Sequence, residues 1–116
     1  MPETFHPFCR EDALGEDMAL GAMINGWPIC VARSQEQLFA FVDKCTHYSS
    51  TLHDGRVSKC RIQCPLHGAR FSLTTGASIG GLYRPLKLFS LRCVDGLVEV
   101  AVPDTKPGPE HEPARG

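Results

Sequence analysis

Residues 18–42 are MALGAMINGWPICVARSQEQLFAFV, and the turns inside this stretch decide the fold class. Asn25-Gly26 suits a two-residue hairpin, because both central residues of a type I′ turn need positive φ. It separates Met18–Ile24 from 27–33, two apolar runs of strand length. Pro28 has no N–H for a ladder, which predicts that the second run starts at a sheet edge. Residues 34–36 turn the chain again into Gln37–Val42, a third β-like run. Further on, Asp95-Gly96 joins 86–94 to 97–102. Alternation places Phe89, Leu91 and Cys93 on one face, and likewise Val98, Val100 and Val102. No segment keeps a helical period for long, and only 11–14 suggests a single helical turn. Short strands with frequent turns predict an all-β sandwich or barrel-like domain.

The bulk numbers narrow the function classes. A chain of 116 residues with 42% hydrophobic residues is expected to form one domain with a real core. Charge is nearly balanced, 12 Lys+Arg against 13 Asp+Glu, and no basic stripe or arginine cluster is visible. Nucleic acid is therefore not an expected partner. No apolar run approaches membrane-spanning length and no signal segment precedes the domain, so the expected location is the cytoplasm. In that reducing compartment six cysteines point to buried residues or metal ligands, not to disulfides. After Val102 the chain becomes PDTKPGPEHEPARG, without apolar anchors, and 103–116 is expected to be a disordered tail with His111 solvated.

Between the β regions lies a loop-rich stretch, about 43–79, where Cys and His residues gather. It contains Cys45-Thr46-His47 and, further on, Cys64-Pro65-Leu66-His67-Gly68. Two thiolates and two imidazoles can fill a metal site. One tetrahedral zinc is a possible use of them. Structural zinc sites, however, usually draw like ligands from each loop, whereas each loop here offers one Cys and one His. Mixed pairs suit a [2Fe–2S] centre in which His₂ replaces Cys₂ on one iron. The segments CPLHGARF (64–71) and TTG (74–76) resemble the cluster loops of Rieske ferredoxins.

The resemblance implies a Rieske-like antiparallel β-sandwich of three sheets over 4–102. One [2Fe–2S] cluster would be held by Cys45 and Cys64 on one iron and by His47 and His67 on the other. It implies an electron carrier, not an enzyme. Such a ferredoxin relays single electrons from a flavin-dependent NAD(P)H reductase to a terminal aromatic-ring-hydroxylating dioxygenase, docking transiently on each. A Rieske-like small subunit of a nitrite reductase is the alternative. A freestanding oxygenase would need a large additional domain with a mononuclear iron, for which no residues remain.

Around the motifs, Asp54-Gly55 supplies a turn, Pro65 stiffens its loop, and Gly68 lets backbone approach the cluster. High-potential members of the family join their cluster loops by a disulfide; the matching positions here are Ser50 and Leu66. Where those members place a hydroxyl donor, this chain has Ala69 and Phe71, so a low potential within the class is expected. The third loop lacks a proline before Pro85, and 80–82 is taken as the lid. With the histidines facing outward, Tyr48, Ser49, Leu66, Gly68 and Leu82 are expected to form a small, mostly uncharged docking surface. His53 is expected to be a solvated loop residue, Cys60 a buried strand cysteine, and Cys9, Cys30 and Cys93 core residues.

Overall fold

The computed structural model describes residues 3–46, 50–66, 68–108 and 111. The Asn25-Gly26 turn forms with φ of 53° and 84°. It joins β2 (Met18–Ile24) to β3 (Trp27–Ser34), paired antiparallel from Ile24↔Trp27 to Met18↔Arg33. The next turn has only two residues, Gln35 and Glu36, at φ 53° and 65°, before β4 (Gln37–Val42). Neither is glycine, and the Glu16 carboxylate stabilises the turn by accepting both backbone N–H groups, at 2.7 and 3.3 Å. These two bonds hold the Glu16 carboxyl below its usual 4.5. A depressed folded-state pKa contributes stability above that value and loses it as pH falls through the folded pKa. Acid unfolding of Glu16→Gln, compared with the parent chain, should accordingly show a shallower fall in stability below about pH 4.5.

Pro28 does not mark an edge. β3 lies inside a four-stranded sheet of order β2-β3-β4-β8. Its pairing with β4 ends at Ile29↔Val42, and one further bond runs from the Asp43 N–H to the Pro28 carbonyl at 2.9 Å. Proline thus sits at the rung where the ladder stops, so its missing N–H costs the sheet little. The non-alternating WPIC run also has a cause. Ile29 and Val31 enter one core cluster while Cys30 and Ala32 enter the other, so β3 is covered on both faces.

The stretch 86–94 is two strands in different sheets. β8 (Leu88–Phe89) pairs with β4, whereas β9 (Leu91–Val94) pairs with β10 (Leu97–Pro103) across the Asp95-Gly96 turn. Ser90 sits at the crossing, its carbonyl taking the Ala101 N–H at 2.8 Å. The face expected to be shared is therefore broken: Phe89 is buried, Leu91 half-buried and Cys93 exposed. Cys93 is not a core residue. Val98, Val100 and Val102 do share a face and are fully buried. β1 (Glu3–Arg10) completes a three-stranded sheet of order β1-β10-β9, and a 3₁₀ turn follows at Glu11–Ala13.

The third sheet is small: β5 (Arg56–Ser58), β6 (Arg61–Gln63) and β7 (Arg70–Ser72), in that order. It covers the second core cluster through Val57, Ile62 and Phe71. Three antiparallel sheets are thus present, as the resemblance implied. Beyond Val102 the chain does find an anchor, in β3. The Trp27 indole N–H donates to the Thr105 carbonyl at 2.7 Å, and the His111 ring lies 5.5 Å from Trp27. Of the stretch 103–116, residues 109–110 and 112–116 lie outside the described residues.

Candidate metal centre

Two loops of the same construction carry the sequence-predicted cysteines. The Cys45 N–H donates to the Ser50 carbonyl at 2.9 Å, and the Cys64 N–H to the Ala69 carbonyl at 2.7 Å. Each loop is thus closed from its cysteine to the residue five positions on. The second is tightened by the Gly68 N–H on the Cys64 carbonyl, 3.2 Å, with Gly68 at φ +74°. That left-handed backbone favours glycine there. Both cysteines are 2% exposed, neither is in a disulfide, and both belong to the core cluster containing Leu52, Ile62 and Phe71. His47 and His67, together with Tyr48 and Ser49, lie outside the described residues.

The donor set fits a mixed Cys/His iron–sulfur group. Two soft thiol ligands come from separate loops with matching closure and face one apolar core, and each loop contributes one imidazole in sequence. No other cysteine is followed by a histidine within three residues. Burial pushes the Cys30 thiol well above its usual pKa and, less strongly, the Cys9 thiol. Cys60 is not on a strand. It occupies a Lys59-Cys60 turn between β5 and β6, at φ 50° and 58°. Its N–H donates to Ser34 Oγ at 2.9 Å and its carbonyl accepts the Leu73 N–H at 2.9 Å, tying two hairpins together.

The residue that sequence reasoning missed is Asp43. It is 4% exposed, and its Oδ1 accepts the backbone N–H groups of Leu52 and His53, at 2.7 and 2.8 Å. Oδ2 lies 2.5 Å from His53 Nδ1. His53 is thus half-buried and paired, not a solvated loop residue. Asp43 stands two residues before Cys45, so this carboxylate ties the first loop to the segment leading towards β5. No local pattern announces it, since its partners are nine and ten residues away. Gly21 on β2 makes the room: a Cβ there would lie 2.7 Å from both Asp43 Oδ2 and His53 Nδ1. Asp43→Ala leaves two N–H groups without their acceptor and is expected to cost about 2–4 kcal/mol, measured by urea unfolding.

The third loop is joined to the first by the Thr46 hydroxyl, which donates to the Arg84 carbonyl at 2.7 Å. Residues 80–82, expected as the lid, are open among the described residues. Leu82 is 78% exposed, and the positions of Gly80 and Gly81 open onto free space. Tyr83 instead packs against the cluster of buried residues that includes Cys45 and Cys64. Its N–H is held by Ser78 Oγ at 3.3 Å. Leu66, on the second loop, is 58% exposed, while Ala69 and Phe71 are buried and bring no hydroxyl to the site.

A family model for the Rieske [2Fe-2S] domain matches residues 4–87, which include both motifs. The chain belongs to the Rieske [2Fe–2S] domain family. Among curated relatives of this Rieske domain is the anthranilate 1,2-dioxygenase ferredoxin subunit of Burkholderia cepacia. It is 34% identical over 99 residues, which is 84% of this chain and 92% of that protein. Ferredoxin CarAc of Metapseudomonas resinovorans is 35% identical over 79 residues, 67% of this chain and 74% of that one. A chain in the solved complex of reduced oxygenase and oxidized ferredoxin in carbazole 1,9a-dioxygenase superposes with a TM-score of 0.79. It is 26% identical and covers 90% of this chain and 97% of its own. The Rieske chain is a ferredoxin-type electron carrier, not a catalyst. Among its described residues no helix is long and apolar enough to cross a membrane.

Proposed function

We propose that this protein is the ferredoxin of an aromatic-ring-hydroxylating dioxygenase system. It takes electrons from a flavin-dependent NAD(P)H reductase and delivers them to the terminal oxygenase, in the cytoplasm. The observation that carries this reading is the pair of buried thiols on two loops of identical closure, beside the exposed Leu66 and Leu82. Cys45, His47, Cys64 and His67 would hold one [2Fe–2S] cluster. When bound, that group supplies reversible one-electron redox chemistry. The chain keeps both thiols out of water and surrounds them with Leu52, Ile62, Ala69 and Phe71. Leu66, Gly68 and Leu82 would serve as the contact surface, joined by Tyr48 and Ser49, which follow Cys45 in sequence.

The test is reconstitution. A flavoprotein reductase, NADH and a ring-hydroxylating oxygenase should form hydroxylated product only when this protein is added in its holo form. Product formation at the same rate without it would refute the relay. Leu66→Glu should slow electron delivery several-fold while leaving the visible spectrum unchanged, because a small apolar centre gains a charge that docking must desolvate. With no hydroxyl at Ala69 or Phe71, voltammetry at pH 7 should give a potential near the low end of the class, about −150 mV. A value well above zero would contradict the argument from those two side chains.

A further inference from the structure

The small sheet assembles a charge cluster that the sequence spreads over fifteen positions. Arg56 pairs with Gln63 and Gln63 with Arg70; in the adjoining row Ser58 pairs with Arg61 and Arg61 with Ser72. Residues directly paired across strands share a face. All these side chains therefore stand on the solvent side, while Val57, Ile62 and Phe71 point into the core. Lys59, in the connecting turn, adds a fourth cation. The four cations are exposed and line one open groove of about 390 Å³ that no carboxylate lines. None of them is in an ion pair among the described residues.

The chain as a whole is polarised in the same sense. Between Asp43 and Lys87 there are seven Lys+Arg against two carboxylates, while the remainder carries five against eleven. Near-neutral total charge hides a positive end that coincides with the loops bearing Cys45 and Cys64. Clustered like charges destabilise a fold by self-repulsion. Among the described residues no ion pair offsets it at Arg56, Lys59, Arg61 or Arg70.

We propose that this face is an electrostatic docking surface for a redox partner protein whose own docking face is rich in carboxylates. It rests on the electron-carrier reading and adds to it the chemistry of the partner. β6 runs from Arg61 through Gln63 directly into Cys64, and β7 leaves the same loop at Arg70. The charged face thus leads into the loop that carries the exposed Leu66 and supplies a basic border on one side of it, as polar rims do at protein interfaces. Rim charges act mainly on encounter rate and salt dependence, which suits a carrier that must also leave. A nucleic acid strand fits less well, because the groove has no aromatic side chain on which a base could stack. The mostly uncharged contact surface expected from the sequence is compatible with such a border.

The experiment is stopped-flow oxidation of the reduced holoprotein by an anionic oxidant, ferricyanide, and a cationic one, tris(phenanthroline)cobalt(III). The test variant is Arg56→Gln/Arg61→Gln/Arg70→Gln; Arg10→Gln/Arg92→Gln, in the distal sheet, is the control. Raising ionic strength from about 10 to 300 mM should slow ferricyanide at least fivefold for the parent and the control, against the sign of the net charge. It should leave the triple variant nearly flat, with an unchanged visible spectrum. Cobalt should show no such slowing. Reduction of the oxygenase active in the reconstitution should be at least tenfold slower for the triple variant at low salt. Ferricyanide rates that rise with salt, or equal oxygenase reduction by parent and triple variant, would overturn the proposal. So would tight binding of a 20-nucleotide single-stranded DNA that the triple variant loses while oxygenase reduction persists; the face would then serve nucleic acid. If no oxygenase is reduced at all, the proposed function fails, and the docking surface stands or falls on the ferricyanide arm.

Discussion

Cys64→Ser and Cys45→Ser should each give a colourless protein without bound iron, where the parent chain should hold about two irons and two acid-labile sulfides. Thiolate is the ligand that iron–sulfur chemistry selects, and a serine hydroxyl stays protonated at neutral pH. Both positions are 2% exposed, so water cannot reach in easily to replace the lost ligand. Binding of the group is coupled to folding, so each variant should also unfold at lower urea than the holo parent. Cys60→Ser and Cys93→Ser are the controls: Cys60 sits in a turn between hairpins and Cys93 is exposed on β9. Iron and sulfide analysis decides the matter. Loss of iron from either control, or retention of two irons in Cys64→Ser, would show that the ligand set is misassigned.

Gly55→Ala should be the most damaging single change outside the ligands, although it adds one methyl. A Cβ at this position would lie 2.1 Å from the Gln63 carbonyl oxygen and 3.0 Å from that of Leu52. Both obstacles are backbone, so no rotamer change relieves them. The Arg56↔Gln63 rung that opens the β5–β6 ladder would have to separate, and Gln63 leads straight into Cys64. The expected loss is on the order of 3–5 kcal/mol, the upper range for overpacking and strain. Urea midpoints of the apoprotein measure it without the bound group. Gly81→Ala is the comparison: nothing lies within 4 Å of its Cβ position, and only its φ of +70° resists the change. That variant should lose about 1 kcal/mol. Equal midpoints for the two variants would show that the backbone can move aside at Gly55.

The sequence by itself determined the features that depend on neighbours along the chain. Asn25-Gly26 and Asp95-Gly96 make hairpins because turn geometry is set by the φ preferences of two adjacent residues. Val98, Val100 and Val102 share a buried face because period-two alternation survives wherever one side of a strand meets the core. The two Cys/His motifs are local as well, and ligand chemistry needs only residue type and spacing to suggest the family.

Tertiary structure decided whatever depends on residues distant in sequence. Pro28 is tolerated inside a sheet because its neighbour β4 ends one rung earlier, which no local rule could foresee. Residues 86–94 look like one strand, yet Ser90 hands the chain from one sheet to another, and that switch left Cys93 in solvent. Asp43 is unremarkable until folding brings Leu52 and His53 to its carboxylate, where two backbone donors need an acceptor away from water. Arg56, Arg61 and Arg70 are separate charges along the chain; antiparallel register gathers them on one face of the small sheet, because strand pairing makes neighbours of segments that the sequence keeps apart.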